Sequence, residues 1–437
     1  MSFSSQFVIL AAGEGTRMKS RRPKVLHEIG NLPLLGHVVA LANAAGSDRI
    51  SVVRGPNSDG LADALGDLAD GVSFPVQTER LGTAHAVLAA RDDLADPADA
   101  VFVLFADTPL LTLETVRAVR ETLEGGIDLV VVGFETDAPA GYGRLIVEDG
   151  ALERIVEDKD ASEAEKLVTL CNSGIMAFRG EHVLPILDAV GNDNAQAEYY
   201  LTDAVAIARE RGLDVAVALA GESEVMGVNT RAQLARCEAV FQDRRRAAAM
   251  LDGVTLTGPE TVFFSHDTEI GADVTVEPNV VFGPGVSIAE SATIRAFSHL
   301  EGARIEAGAV IGPYARIRPG SHIGEGAKVG NFVETKNTSI EAGAKANHLA
   351  YLGDARIGAR ANVGAGTITC NYDGKTKSLT DIGASAFIGS NSALVAPVRI
   401  GAGAYVASGS VITEDVPDDA LAFGRARQVN KPGRAPK

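Results

Sequence analysis

From Ile270 to Ile412 a large apolar residue, nearly always aliphatic, returns mostly at every sixth position, and no other feature restricts the fold of this 437-residue chain so tightly. The run is Ile270, Val276, Phe282, Ile288, Ile294 and Leu300, then, after a five-residue step, Ile305, Ile311, Ile317, Ile323 and Val329. It resumes at Ile340, Leu352, Ile357 and Val363 and closes with Ile382, Ile388, Leu394, Ile400, Val406 and Ile412. A period of six suits neither a single helix nor a flat strand, but it suits a triangular prism wound from short parallel strands. Each coil would bury its aliphatic residues along the axis. Gly often follows the aliphatic residue, as in Ile311-Gly312, Ile323-Gly324 and Ile388-Gly389, where a corner could call for positive φ.

The period weakens over Asn331 to Leu349 and again over Asn371 to Leu379. Insertions and site residues in solenoids tend to fall at such points. The first stretch contains Glu334, Lys336, His348 and Tyr351; the second contains Asn371, Tyr372 and Lys377. A histidine can move a proton near neutral pH, which makes His348 a candidate base, although a lone histidine is as readily a plain surface or core residue.

A chain of this length exceeds one ordinary core, so a second domain is expected ahead of the repeat. There Phe7 to Leu10 reads as a strand running into Ala11-Ala12-Gly13-Glu14-Gly15-Thr16-Arg17. A glycine turn between strand and helix offers backbone N–H groups to phosphate, with Arg17 and Lys24 as neutralising charges. It lacks the Gly-Lys-Ser/Thr of a P-loop. Strands and helices then alternate, with helices expected over Ala62 to Leu68 and Ala84 to Arg91, which is an α/β pattern. The strand Val101 to Phe105 leads to Asp107, a hard oxygen ligand suited to Mg²⁺ where open α/β sheets bind ligands. A lone Asp after a strand more often caps the next helix. Further polar groups follow at Gly141 to Arg144, Glu157 to Asp160, Asn172 to Gly174 and Asn194 to Asp203, each of which could be a plain turn.

Composition narrows the partners. A net charge of -17 disfavours broad nucleic-acid or anionic-membrane binding. Three scattered cysteines, Cys171, Cys237 and Cys370, give neither a disulfide frame nor a thiolate metal site. No apolar run is long enough to span a bilayer and no basic n-region opens the chain, so neither a membrane span nor a signal peptide is expected, and the few scattered cysteines suit a reducing cytoplasm. Residues 230–251 read as a linker helix whose Arg244-Arg245-Arg246 triplet is expected to be a solvated face. Lys431 to Lys437 reads as a mobile basic tail.

Taken in order, the stretches quoted above resemble the bacterial bifunctional N-acetylglucosamine-1-phosphate uridyltransferase and glucosamine-1-phosphate N-acetyltransferase family over roughly residues 6 to 428. The resemblance implies three parts: a Rossmann-like nucleotidyltransferase domain at 1–229, the helix at 230–251, and a left-handed parallel β-helix of hexapeptide repeats at 252–437 that forms a homotrimer. It implies acetylation of glucosamine-1-phosphate by acetyl-CoA, then UMP transfer from UTP, giving UDP-N-acetylglucosamine for peptidoglycan and lipopolysaccharide synthesis, and pyrophosphate. UTP or the product sugar nucleotide would meet Leu10, Ala11, Ala12, Gly13, Lys24, Gln77, Gly82, Thr83, Phe105, Ala106, Asp107, Gly143, Glu157, Asn172 and Asn229. Asp107 and Asn229 would hold Mg²⁺, and Arg17 and Lys24 would act in catalysis. Arg318, Lys336, Tyr351, Asn362 and Asn371 would bind the amino-sugar phosphate, with Glu334 near His348. Ala365, Asn371, Tyr372, Lys377, Ser390, Ser408 and Arg425 would meet acetyl-CoA across a subunit boundary. The chain departs from the family pattern at Phe105-Ala106-Asp107, where Tyr-Gly-Asp is usual, and at Ala84, where Gly is usual. The alternative is a sugar-1-phosphate nucleotidyltransferase whose β-helix is not catalytic.

Overall fold

The computed structural model describes residues 3–56, 58–148, 151–194 and 196–434. The last three residues of the basic tail lie outside them. The chain divides into two units, Met1–Phe241 and Gln242–Lys437.

The first unit is built on a sheet whose strands run in the order Val215–Leu219, Leu129–Glu135, Leu170–Arg179, Ala100–Phe105, Ser5–Ala11, Arg49–Arg54 and Val72–Ser73. All pair in parallel except Leu170–Arg179, which is antiparallel to both neighbours. Side chains alternate across a strand, and the two sheet faces bury separate sets. Phe7 and Ile9 face the helices Leu34–Ala44 and Leu113–Glu124. Val8 faces Thr83–Leu88, Gly180–Leu187 and Asp203–Glu210. Phe7 stacks on Phe102 of the neighbouring strand with ring centroids 4.7 Å apart. Connections leave Ser5–Ala11 towards Arg49–Arg54 on one side, while Ala100–Phe105 lies on the other. The C-terminal ends of these two strands therefore flank a switch point, where open α/β sheets bind ligands.

Two local expectations change. The glycine turn after Ala11 leads only into a 3-10 turn, Thr16–Met18, bounded by Gly15 and Lys19 in left-handed conformations. The first α-helix begins at Leu34, so the turn itself does not run into an α-helix. The helix expected over 84–91 is Thr83–Leu88.

The second unit is a left-handed β-helix of short parallel strands, stacked coil on coil every 17 or 18 residues, as in Ser287↔Arg304↔His322↔Ser339↔Arg356. Its axis is filled by the expected aliphatic residues, with Val276, Ile294, Ile317, Ile340, Ile382 and Val406 all fully buried. Of the glycines after them, Gly312 has the expected positive φ, at 87°, but most do not. Gly364 and Gly389 have no positive φ; a Cβ on Gly389 would come within 2.4 Å of Ser408 N in the next coil, so the backbone approach itself excludes a side chain. Positive φ comes two residues later, at corner positions such as Asp273, Ser291, Gly308, Gly326, Gly343 and Arg360.

The first weak stretch of the repeat is not an insertion. Fully buried Thr335 and Ala346 fill the inward positions between Val329 and Leu352, and the strands Glu334–Ile340 and Tyr351–Ile357 stay in register. Only the second stretch leaves the coil, as a loop in which Tyr372 bridges Lys377 and Ser378 N donates to Asn371 O at 2.9 Å.

The helix Arg231–Leu251 contributes to both units. Leu234, Val240 and Phe241 pack with Met18, Ile29 and Leu34 in the first. In the second, the arginine triplet is not the solvated face expected. Arg246 is buried, pairs with Asp243 and donates to Val262 O at 3.2 Å, while Arg245 donates to Thr268 O at 2.6 Å. These arginines satisfy carbonyl groups on the first coil. Burial also pushes the Arg245 guanidinium below its ordinary pKa. Among the described residues, no helix is long and apolar enough to cross a membrane.

Candidate active sites

At the switch point of the first unit lies a cavity of about 250 Å³ lined by Leu10, Ala11, Ala12, Gly13, Lys24, Gln77, Gly82, Thr83, Phe105 and Asp107. Ala106 is fully buried behind it, its N–H donating to Leu10 O at 3.1 Å, which ties the two strand ends together. Phe105 packs against Gly174, where a Cβ would come within 2.9 Å of its ring. Asp107 does not cap the next helix: Thr112 takes that place, accepting from Thr115 N. The Asp107 side chain instead forms an ion pair with Lys24.

The same Lys24 ammonium donates to Asn229 Oδ1 at 3.1 Å, and Arg17 donates to that oxygen at 2.9 Å. Asn229 is brought there because Val228 N donates to Asp107 O at 2.9 Å. A carboxylate and an amide oxygen thus converge on one cation. Both are hard donors of the kind Mg²⁺ takes alongside substrate phosphates and water, so the residues present fit that ion. Among the described residues, no cluster of three or more His, Cys, Asp or Glu offers a fuller cage.

Two residues that the sequence left without a role complete the wall. Arg80 donates to Ala12 O at 3.0 Å and pairs with Glu14, bracing the glycine turn. Glu198 also lines the cavity. It belongs to the Asn194 to Asp203 stretch, which folds over the Gly82 turn: Tyr199 N donates to Leu81 O at 2.7 Å, Ala84 N to Tyr199 O at 3.0 Å, and Leu201 N to Thr83 Oγ1 at 3.0 Å. Gly82 is necessary here, with φ of 116° and a Cβ position only 2.4 Å from Tyr199 O.

Thr83 and Glu198 also line a second cavity of about 290 Å³, with Glu157, Tyr200 and Thr202. Gly143 and Asn172 adjoin it: Asn172 N donates to Gly143 O at 2.8 Å, and a Cβ on Gly143 would lie 3.6 Å from Glu157 Oε2. Burial pushes the Glu157 carboxyl above its ordinary pKa, with the Thr202 hydroxyl pulling weakly the other way, and burial raises Asp203 too. Arg144, read as part of a polar turn, is almost wholly buried and pairs with Asp158.

In the second unit, one prism face carries two outward rows. Register sets Arg316, Glu334, Tyr351 and Ile368 in one, and Lys336 and Gly353 in the other, with Arg318 donating to Glu334 Oε1 at 2.7 Å. The Tyr351 ring lies over Gly353, where a Cβ would meet its hydroxyl at 2.4 Å. At the edge of this face Asn371 donates to Asp354, as does Asn337 at 2.7 Å. Burial alone would raise Asp354; those two hydrogen bonds, with Lys377 and Lys336 nearby, hold it below the usual carboxylate range. The Lys377 ammonium, by hydrogen bond and charge, pushes Lys336 down. Two such cations side by side favour an anion between them.

His348 ends the strand Lys345–His348, which belongs to a different face together with Asn362. The structure therefore gathers Arg318, Lys336, Tyr351 and Asn371, and sets Asn362 apart from them. His348 Nδ1 lies 2.7 Å from Asn331 Oδ1, its register partner one coil earlier. With the amide oxygen accepting, Nδ1 carries the proton and Nε2 keeps its lone pair. Asn331 falls where the repeat weakens, and only the register of the coils gives it a role. Past His348, one corner column runs through Ala365, Ser390 and Ser408: Asn391 N donates to Ala365 O at 2.7 Å and Gly409 N to Ser390 O at 2.8 Å. Arg425 lies beside it, its Cδ 3.8 Å from where a Cβ on Gly409 would stand. Tyr372 and Lys377 lie in the loop that leaves the coil.

Comparison with known proteins agrees with both halves. Residues 7–174 match the MobA-like NTP transferase domain, and residues 302–337 and 380–414 match the bacterial transferase hexapeptide (six repeats). The bifunctional protein GlmU of Xanthobacter autotrophicus is 57% identical over 428 residues, covering 98% of this chain and 96% of that protein. Those of Agrobacterium fabrum and Azorhizobium caulinodans are 55% identical over 435 residues and 58% over 428, each spanning 96% of its own length and at least 98% of this chain. With identity at this level running through both units, the chain belongs to the bifunctional GlmU family.

Proposed function

We propose that the chain performs two consecutive steps on one sugar, acetylating glucosamine-1-phosphate with acetyl-CoA and then joining the product to UMP from UTP to give UDP-N-acetylglucosamine and pyrophosphate. The observation that carries this is similarity over the whole chain to bifunctional relatives, each half of the chain having its own cluster of polar groups.

For acetyl transfer, His348 Nε2 takes the amine proton as nitrogen attacks the thioester carbon, and the collapsing intermediate releases the CoA thiolate, which takes up a proton. Arg318 and Lys336 hold the sugar phosphate beside Tyr351 and Asn371. Ala365, Ser390, Ser408 and Arg425 line the path of acetyl-CoA. For uridylyl transfer, a phosphate oxygen of the sugar attacks the α-phosphorus of UTP and the bond to pyrophosphate breaks, with no protein nucleophile. Arg17 and Lys24 neutralise phosphate charge, and Glu157 and Asn172 hold the sugar. Mg²⁺ held by Asp107 and Asn229 supplies further charge neutralisation when bound.

The separation of Asn362 and His348 from the Arg318 face supports a homotrimer in which neighbouring coils complete each acetyl-transfer site. So does the exposed ladder of Phe297, Tyr314 and Phe332, with stacked centroids 4.9 Å and 5.2 Å apart. A cytoplasmic setting suits substrates such as UTP and acetyl-CoA. Incubation with glucosamine-1-phosphate, acetyl-CoA, UTP and Mg²⁺ should release both CoA thiol and pyrophosphate. His348→Ala should stop only the first and Asp107→Ala only the second; release of pyrophosphate alone by the unsubstituted protein would leave the β-helix non-catalytic.

A further inference from the structure

Gln77 is 4% exposed and lines the nucleotide cavity. Its Nε2 lies 3.2 Å from Gly82 O and 3.2 Å from His85 Nδ1. A carbonyl oxygen can only accept, so the amide nitrogen and not the amide oxygen must face Gly82. That nitrogen has two hydrogens. The second points to His85 Nδ1, which must accept and therefore carries no proton, leaving the imidazole proton on its Nε2. His85 is itself held by its place on the helix Thr83–Leu88 and by the ring of Tyr199, whose centroid is 6.3 Å away. Both donors of the Gln77 amide are thus spent inside the protein. Its Oε1 has no partner among the described residues, although the side chain is more than nine-tenths buried.

An amide oxygen without a protein partner, on a residue that lines a ligand cavity, can take a donor from the ligand. Uracil presents an N–H at ring position N3, whereas cytosine presents a lone pair there. We propose that His85 is a positioning residue which, by fixing the Gln77 amide, sets the preference of this cavity for uracil over cytosine. The proposal rests on the uridylyl-transfer reading of the site. His85 need not touch the nucleotide. Without Nδ1 as acceptor, only Gly82 O opposes rotation of the amide, and a rotated amide would turn its NH₂ towards the base and meet the cytosine lone pair.

The test compares kcat/KM for UTP and CTP, with N-acetylglucosamine-1-phosphate, in the full chain and in His85→Leu and His85→Asn. Leu removes the acceptor, and the UTP-to-CTP ratio is expected to fall about fivefold or more. Asn sets an amide oxygen near the place of Nδ1 and is expected to restore the ratio. An equal loss with both nucleotides in His85→Leu, or an unchanged ratio, would overturn the proposal while leaving the uridylyl reading intact. No UTP turnover by the unsubstituted chain would sink that reading and the proposal together. Nitrogen-15 NMR of His85 in the unsubstituted protein at about pH 8 decides the matter independently of how the variants fold: an unprotonated Nδ1 is expected, and a protonated one overturns the proposal.

Discussion

Asn331 Oδ1 lies 2.7 Å from His348 Nδ1, across two strands of adjacent coils in parallel register. The contact decides which ring nitrogen is free to take a proton. In Asn331→Ala, imidazole tautomers exchange freely and the ring turns, so kcat for acetyl transfer should fall about tenfold or more. Uridylyl transfer should not change. Separate thiol-release and pyrophosphate assays check this; an acetyl-transfer kcat equal to that of the unsubstituted protein would show that Asn331 does not orient the base.

This pair also marks how far sequence reaches. The prism was legible because a six-residue period has few physical solutions, and His348 stood out as a base in a stretch where the period weakened. The weakening itself was misleading. Thr335 and Ala346 face the axis as surely as Ile340 does, so the coil continues through a stretch whose side chains merely stop being large and aliphatic. The loop after Asn371 is a real departure, and in sequence the two cases look alike. The arginine triplet misled for the opposite reason. Charge on a helix usually means solvent, but Arg246 is buried because the first coil offers the Val262 carbonyl to be satisfied. The roles of Arg80 and Asn331 depend on contacts at 68 and 17 residues' separation, which no local pattern encodes.

Glu157 should impose an acid limb on uridylyl transfer. Burial raises its carboxyl above the ordinary value, so as pH falls towards the carboxylate range it protonates earlier than an exposed Glu and loses acceptor capacity for sugar hydroxyls. KM for N-acetylglucosamine-1-phosphate should rise on that side, and Glu157→Gln should flatten the rise. Stability moves the other way. A folded pKa above the unfolded one gives a contribution that is full below the unfolded pKa and lost as pH rises through the folded value. At neutral pH the buried charge is therefore a cost, and Glu157→Gln should melt higher than the unsubstituted protein. The gap should narrow as pH falls. Thermal melts across the acid range, paired with kinetics, test both directions.

Lys24 should have two separable effects. It pairs with Asp107 and donates to Asn229, so its ammonium competes for the oxygens that suit a divalent cation. Lys24→Gln should tighten Mn²⁺ binding in the absence of nucleotide, read by titration calorimetry or paramagnetic resonance. The same change removes a cation from the phosphates and should lower kcat/KM for uridylyl transfer about a hundredfold. Weaker metal binding in the variant would mean that the lysine supports the metal site and does not compete with it.

Gly389 tests the coil itself. Its backbone is not in the left-handed region; what excludes a side chain is Ser408 N, 2.4 Å from where a Cβ would sit, with Val406 O at 2.7 Å. Both atoms belong to the next coil, and Val406 O accepts the ladder hydrogen bond from Gly389 N at 2.8 Å. A methyl group can be admitted only by separating the coils, which costs hydrogen bonds and axial packing around Ile388 and Val406 together. Gly389→Ala should destabilise the second unit by about 2 kcal/mol or more. Each coil of a solenoid contacts only its neighbours, so the damage should stay local, weakening acetyl transfer through the Ser390 and Ser408 corner while uridylyl transfer persists. Calorimetry with both activity assays checks this. Gly374 is the control, since a Cβ there meets nothing within 4 Å. Its φ of 98° would strain an Ala in that loop, but without parting any coils, so Gly374→Ala should leave the melting of the β-helix far less affected than Gly389→Ala.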